Sequence, residues 1–138
     1  MSEEQQSFEQ FLQQRREAAL AFVSGDGTPV STLSTAHDPA TFFGPRGGQL
    51  SGSKAIRSRY EQDARLFDAG SENTLEVLHA SASGDVGYWV GFQHTQARMK
   101  GNDKPVPMKL RVTEVFRRED GAWKLIHRHA DMLAEPQP

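Results

Sequence analysis

Apolar positions along this chain change period near its middle. Phe8, Phe11, Leu12, Ala19, Phe22 and Val23 recur at helical spacing until Gly25, where the pattern stops. Ser2 with Gln5 resembles a capping box, and Glu3 and Glu4 suit the positive end of a helix dipole. Thr28-Pro29 reads as a cap followed by a proline at the first helical position, which predicts a short helix over residues 29–34. Ser53 can cap a third helix that carries Ile56, Tyr60, Ala64 and Phe67 on one face before Gly70. Alternation then takes over. It predicts strands over roughly 74–81, 86–99 and 106–118, with a short earlier one at 41–43. Helices first and strands later predict an α+β fold, laid out as one domain over 1–134 with a frayed tail at 135–138.

The segment Arg111–Asp131 carries the strongest local signal. Two alternating runs flank Glu119-Asp120-Gly121, the pattern of a β-hairpin. A two-residue turn at Asp120-Gly121 sets Phe116 beside Leu125, Glu114 beside His127 and Val112 beside His129. That register gathers Leu110, Val112, Phe116, Trp123 and Leu125 on one face and leaves Arg111, Thr113, Arg117, Lys124 and Arg128 on the other. A three-residue loop with a glycine bulge is the alternative, and it mixes the two sets. In the preferred register Glu114 and His127 are inward neighbours that can hydrogen-bond. A carboxylate holding an imidazole in one tautomer is a competent general acid or base near neutral pH. The same pair can also serve as two core groups that satisfy each other.

Composition narrows the class without naming a ligand. The chain has 138 residues, 36% hydrophobic and 25% charged, with a net charge of −2 and no cysteine. Disulfides, thiolate nucleophiles and cysteine-held metals are excluded, and the charge argues against nucleic-acid binding. No apolar run is long enough for a membrane helix, and the acidic start, Met1-Ser2-Glu3-Glu4, is unlike a signal peptide, so a cytoplasmic location is expected.

The hairpin, with its Arg-x-Thr strand, acid-Gly turn, Trp123 and His127-x-His129 strand, resembles the C-terminal signature of the nuclear transport factor 2-like superfamily, in its SnoaL-like and ketosteroid isomerase-like branches. It is also similar to the association domain of calcium/calmodulin-dependent kinase II, whose pocket arginine falls on Glu114 here with the charge reversed. The resemblance implies a cone of curved antiparallel sheet wrapped over helices, a pocket in its mouth, a small-molecule ligand and a homodimer. It does not imply one reaction, because the fold hosts several enzymes and non-catalytic proteins. By position in the isomerase-like branch, the general base is carried to Asp38. Asp before Pro39 is also ordinary turn chemistry.

Further candidates follow from strand parity. An exposed Glu76 turns Leu75, Val77 and His79 inward. The kinase comparison favours Trp89, Gly91, Gln93 and Thr95 as the inward set of the next strand, with Gly91 leaving room for a ligand beside Trp89 and Gln93. Tyr60, on a buried stripe, needs a partner for its hydroxyl, which the core or a ligand can supply. Arg15 lies near the first helix's apolar stripe, either as a boundary residue with its head in solvent or as a pocket cation. Gly44-Pro45-Arg46-Gly47-Gly48 lacks the residues of a P-loop and reads as a turn at the pocket rim. The expected ligand set is therefore Tyr60, His79, Trp89, Gln93 and His129, with Asp38, Glu114 and His127 as the catalytic candidates. No cofactor is expected. A metal on His127 and His129 would need a third protein ligand from Asp131, His79 or His94, and is the least favoured reading.

Overall fold

A computed structural model describes residues 2–134, so the expected fraying of 135–138 lies outside the described residues. Helix α1 (Glu3–Val23) opens as its sequence predicts, with the Ser2 hydroxyl accepting from the Gln5 N–H at 3.1 Å. The second half of a capping box is not made. Gln5 instead accepts from the Ala82 N–H at 2.8 Å, tying the helix start to the sheet. Helix α2 (Thr28–Leu33) begins one residue early, because Gly27 rather than Thr28 occupies the cap. Gly27 has no room for a side chain, since a Cβ there would lie 2.6 Å from the Tyr60 carbonyl. Helix α3 (Ser53–Ala64) likewise takes Gly52, not Ser53, as its cap. The Ser53 N–H donates to Asp38 Oδ1 at 2.7 Å, so a carboxylate distant in sequence does the capping.

Strands β1 (Thr41–Phe43) and β2 (Gln49–Ser51) form a small hairpin through the glycine-rich turn, and β2 carries no sequence expectation. Four long strands follow: β3 (Glu72–Ser83), β4 (Val86–Ala97), β5 (Val106–Glu119) and β6 (Ala122–Met132). They form one curved sheet in the order β2-β1-β6-β5-β4-β3, antiparallel except for the β1–β6 pair. The β5–β6 hairpin sits at its centre. The helices cover one face. There Phe8 meets Phe116 and Trp123 edge-on at 5.5 and 5.1 Å between ring centres, and Phe11 meets Phe116 at 5.1 Å.

The turn of the central hairpin is the two-residue form, with Asp120 and Gly121 both at positive φ. Phe116 faces Leu125 as expected, but the pairing then slips by one. Ile126 is left without a partner, a β-bulge, and His127 falls opposite Val115 while Glu114 falls opposite Arg128. The expected Glu114–His127 neighbours are therefore not formed. A second bulge at Leu78, between Val77 and His79, acts the same way on β3. Leu75 and Val77 face inward as expected, whereas His79 is turned to the outer face and Ala80 and Ala82 take the inward places. The Gly91 expectation also needs correcting: a Cβ at Gly91 would lie 1.9 Å from the Glu76 carbonyl oxygen. The space is taken by the backbone of the bulged strand and is not left for a ligand.

Candidate functional site

Three charged side chains meet under the sheet. Arg15 belongs to the helical stripe by spacing, three or four residues from Phe11, Leu12, Ala18 and Ala19, so α1 carries it into the interior. Glu114 is on the inward parity of β5, and the Ile126 bulge brings Arg128 to the inward face of β6 instead of the outer face. Arg15 Nε donates to Glu114 Oε1 and Arg15 Nη2 to Oε2, both at 2.8 Å. Trp89 Nε1 donates to Oε1 at 2.7 Å and Arg128 Nη1 to Oε2 at 2.7 Å. Each carboxylate oxygen thus accepts two hydrogen bonds, and Glu114 has no solvent exposure. Burial alone would raise its pKa. The two guanidinium charges and their hydrogen bonds overcome that and hold it at about 2. A carboxylate so saturated is a weak proton acceptor at neutral pH.

The cluster carries two cations and one anion. Arg15, the boundary residue of the preferred sequence reading, is a buried interior cation, and its Nη1 has no hydrogen-bond partner among the described residues. Burial and the Glu114 charge push the Tyr60 hydroxyl up, the two arginines pull it down, and the result is a pKa of about 12. It stays protonated.

From Arg128 the polar contacts run on toward one end of the sheet. Arg128 Nη2 donates to Gln93 Oε1 at 2.8 Å, which orients the Gln93 amide so that Nε2 donates to Asn73 Oδ1 at 2.9 Å. Thr95 Oγ1 donates to the same Asn73 oxygen at 2.7 Å. With its oxygen occupied by two donors, the Asn73 NH₂ is left as the end without a partner among the described residues. Asn73 and Thr95 line a groove of about 500 Å³, walled by Pro107, Met108, Met132 and Leu133 and edged by Glu72, His94 and Lys109.

The other sequence candidates lie elsewhere. His127 Nδ1 is 2.7 Å from Thr41 Oγ1 and its ring meets Phe43 edge-on at 4.9 Å, on the face away from Glu114. Partial burial and then the neighbouring His129 charge lower its pKa, opposed by Thr41 and the Glu114 charge. His129 is exposed beside Phe43, with Nε2 3.7 Å from Asp131 Oδ2, while Asp131 is engaged by Arg111 at 2.6 and 2.8 Å. His79 Nδ1 lies 3.1 Å from the Tyr88 hydroxyl on the outer face. No group of three His, Asp or Glu side chains among the described residues is placed to hold a metal. Asp38 caps α3. Trp89, Gln93 and Tyr60 do come together with the charged cluster, and so does Arg15, whose alternative reading is a pocket cation, whereas Arg128, Asn73 and Thr95 are members to which the sequence reading assigns no ligand role. A signal existed for Arg15 in its helical phase and for Thr95 in its parity with Trp89 and Gln93.

No curated protein matches the chain in sequence. Solved structures match in fold. A nuclear transport factor 2-like protein of unknown function from Pseudomonas putida is 17% identical with a TM-score of 0.75, covering 97% of this chain and 96% of that one. A candidate dehydratase of the same family from Streptomyces avermitilis is 23% identical with a TM-score of 0.70, covering 83% and 88%. A calcium/calmodulin-dependent kinase II hub homology domain from Chlamydomonas reinhardtii is 19% identical with a TM-score of 0.70, covering 93% and 99%. The family model of the SnoaL-like domain matches residues 12–135. The chain therefore belongs to the SnoaL-like domain family, within the nuclear transport factor 2-like superfamily.

Proposed function

We propose that the protein binds a small organic acid in the groove at the ends of β3–β6 without transforming it. The orientation of the Asn73 amide carries this reading. Glu114 holds Arg128, Arg128 holds the Gln93 oxygen, and Gln93 and Thr95 hold the Asn73 oxygen, so the groove floor offers an N–H donor backed by a buried cluster with one positive charge in excess. Such a floor suits a carboxylate and disfavours an ammonium group. The walls of Met108, Met132 and Leu133 suit an apolar body, and the volume falls in the usual range for small-ligand sites.

Catalysis through the expected groups has less support. Glu114 is saturated with donors, His127 faces the other side of the sheet, and Asp38 is committed to the Ser53 N–H. The candidate dehydratase among the structural neighbours shares the fold, but fold alone carries no reaction. Pairing of two copies through the outer sheet face belongs to the same proposal, since Val115 and Ile126 leave half-buried apolar area among outward charges. Sedimentation at micromolar concentration tests it, and a monomer would contradict it.

Calorimetric titration with hexanoate and with hexylamine tests the ligand class. Saturable binding of the acid alone is expected, weakened about tenfold or more by Asn73→Asp, which places a carboxylate against the ligand. Equal binding of acid and amine, or no effect of the substitution, would overturn the reading.

A further inference from the structure

A second concave site lies on the helical side of the molecule, away from the groove above. One face of α3 carries Lys54, Arg57, Ser58 and Glu61, at spacings of three, one and three residues, and this face borders Ser31 of α2 across a depression of about 310 Å³. Arg57 Nε donates to the Ser31 carbonyl at 3.0 Å. That bond fixes the guanidinium at the depression's edge and leaves its two terminal nitrogens free of partners among the described residues. Ser31 and Ser53 also line the depression, and they are only 6% and 8% exposed. Neither hydroxyl has a hydrogen-bond partner among the described residues. Two largely buried serines whose hydroxyls have no protein partner and border a cavity offer free donors to a group bound there.

We propose that this depression binds a tetrahedral oxyanion, either phosphate or the phosphate of a small monoester. Its donors decide the class. Three serines, a lysine and an arginine from two helices line the depression, more donors than the two oxygens of a carboxylate can use and a good match to three terminal phosphate oxygens. Lys54 and Arg57 face the depression with one lining carboxylate, Glu61, at the far end, while the Asp38 carboxylate beside Ser53 is taken up by the Ser53 N–H. The helix terminus itself is not the site: its first N–H is occupied by Asp38 at 2.7 Å, so the anion sits along the Lys54–Arg57 face. Glu61, at the far end, can accept from a hydroxyl on the organic part of an ester or from a protonated phosphate oxygen.

The test is a titration of backbone amide resonances with inorganic phosphate, phenyl phosphate and acetate, with vesicles containing phosphatidic acid as a separate arm. Saturable shifts confined to residues around Ser31 and Ser53–Ser58 are expected for both phosphates and not for acetate. A response to phenyl phosphate but not to the vesicles identifies a soluble ester as the source, and the reverse identifies a lipid headgroup. Lys54→Gln, at an exposed position, should weaken binding about tenfold. The double substitution Ser31→Ala, Ser53→Ala should weaken it without changing charge, and Arg59→Gln on the same helix should leave it unchanged. Acetate binding as well as phosphate, equal losses from Arg59→Gln and Lys54→Gln, or shifts that never saturate would overturn the proposal. If Arg57→Gln also disturbs α2, the Lys54 and serine variants still decide the outcome.

Discussion

Arg128 and its two neighbours on β6 live in opposite environments. Arg128 is sealed beneath the sheet against Glu114 and Gln93, whereas His127 and His129 stand on the outer face with Thr41 and Phe43. A single unpartnered residue, Ile126, makes the assignment. Without the bulge, strict alternation from Leu125 would have carried His127 and His129 inward and Arg128 outward. The chemistry suggested by a carboxylate beside an imidazole is thereby exchanged for a carboxylate between two guanidiniums. The first arrangement could move a proton near neutral pH. The second holds its charges fixed and orients amides around it.

The interior half of this comparison should be much the more sensitive to change. Glu114→Gln leaves Arg15 and Arg128 buried with no counter-charge, and breaking a buried pair in this way typically costs roughly 3–5 kcal/mol. Urea unfolding should show that loss. Little change would mean that the guanidiniums are better hydrated than their burial implies. Acid should act on the same group. The Glu114 pKa is about 2 in the folded protein against an ordinary value of 4.5. Its contribution, on the order of 3 kcal/mol, is therefore fully present above pH 4.5 and lost as pH falls toward 2. The fall in stability across that window should be shallower in Glu114→Gln, and parallel curves for the two proteins would remove Glu114 from the acid response.

The bulge on β3 offers a smaller test. Gly91→Ala would set a Cβ against the Glu76 carbonyl, a backbone group that cannot swing away, and a cost of about 1–3 kcal/mol is expected from denaturation curves. An unchanged midpoint would mean that the bulge at Leu78 relaxes freely. The outer face should respond least. His127→Ala should change stability by no more than about 0.5 kcal/mol, and the wild-type imidazole should titrate below its usual 6.5 by NMR because folding partly buries it beside His129. A cost comparable to that of Glu114→Gln would place His127 in the interior after all.

Much of this fold was legible because its signals are local. The acid-Gly turn points to the two-residue hairpin, and the periods of α1 and β5 name their buried faces through Phe8 and Phe116, while the inward parity of β4 at Trp89 rests on the family resemblance and not on its period. The bulges were not legible in the same way, since an extra residue inverts every later side chain and has no residue type of its own. A weak trace exists in hindsight: both bulges fall at adjacent apolar pairs, Val77-Leu78 and Leu125-Ile126, where alternation is already broken. The Glu114 partners were also concealed by distance. Arg15 lies on a helix 99 positions away, so its phase sets it beside the apolar stripe but cannot name the carboxylate that makes burial tolerable, and a boundary position is the preferred reading from sequence. The glycine caps of α2 and α3 were hidden for a related reason, because Gly27 answers to the close approach of α3 and Gly52 leaves the N–H that Asp38 takes.

Carbon-13 NMR of the Glu114 carboxyl through an acid titration addresses the central contrast most directly. A carboxylate held between Arg15 and Arg128 should stay ionised until the pH approaches about 2, with no inflection as His127 titrates. A midpoint at or above the ordinary 4.5, or a shift that follows His127, would contradict the buried arginine clamp and return Glu114 to the role of a proton-transfer group.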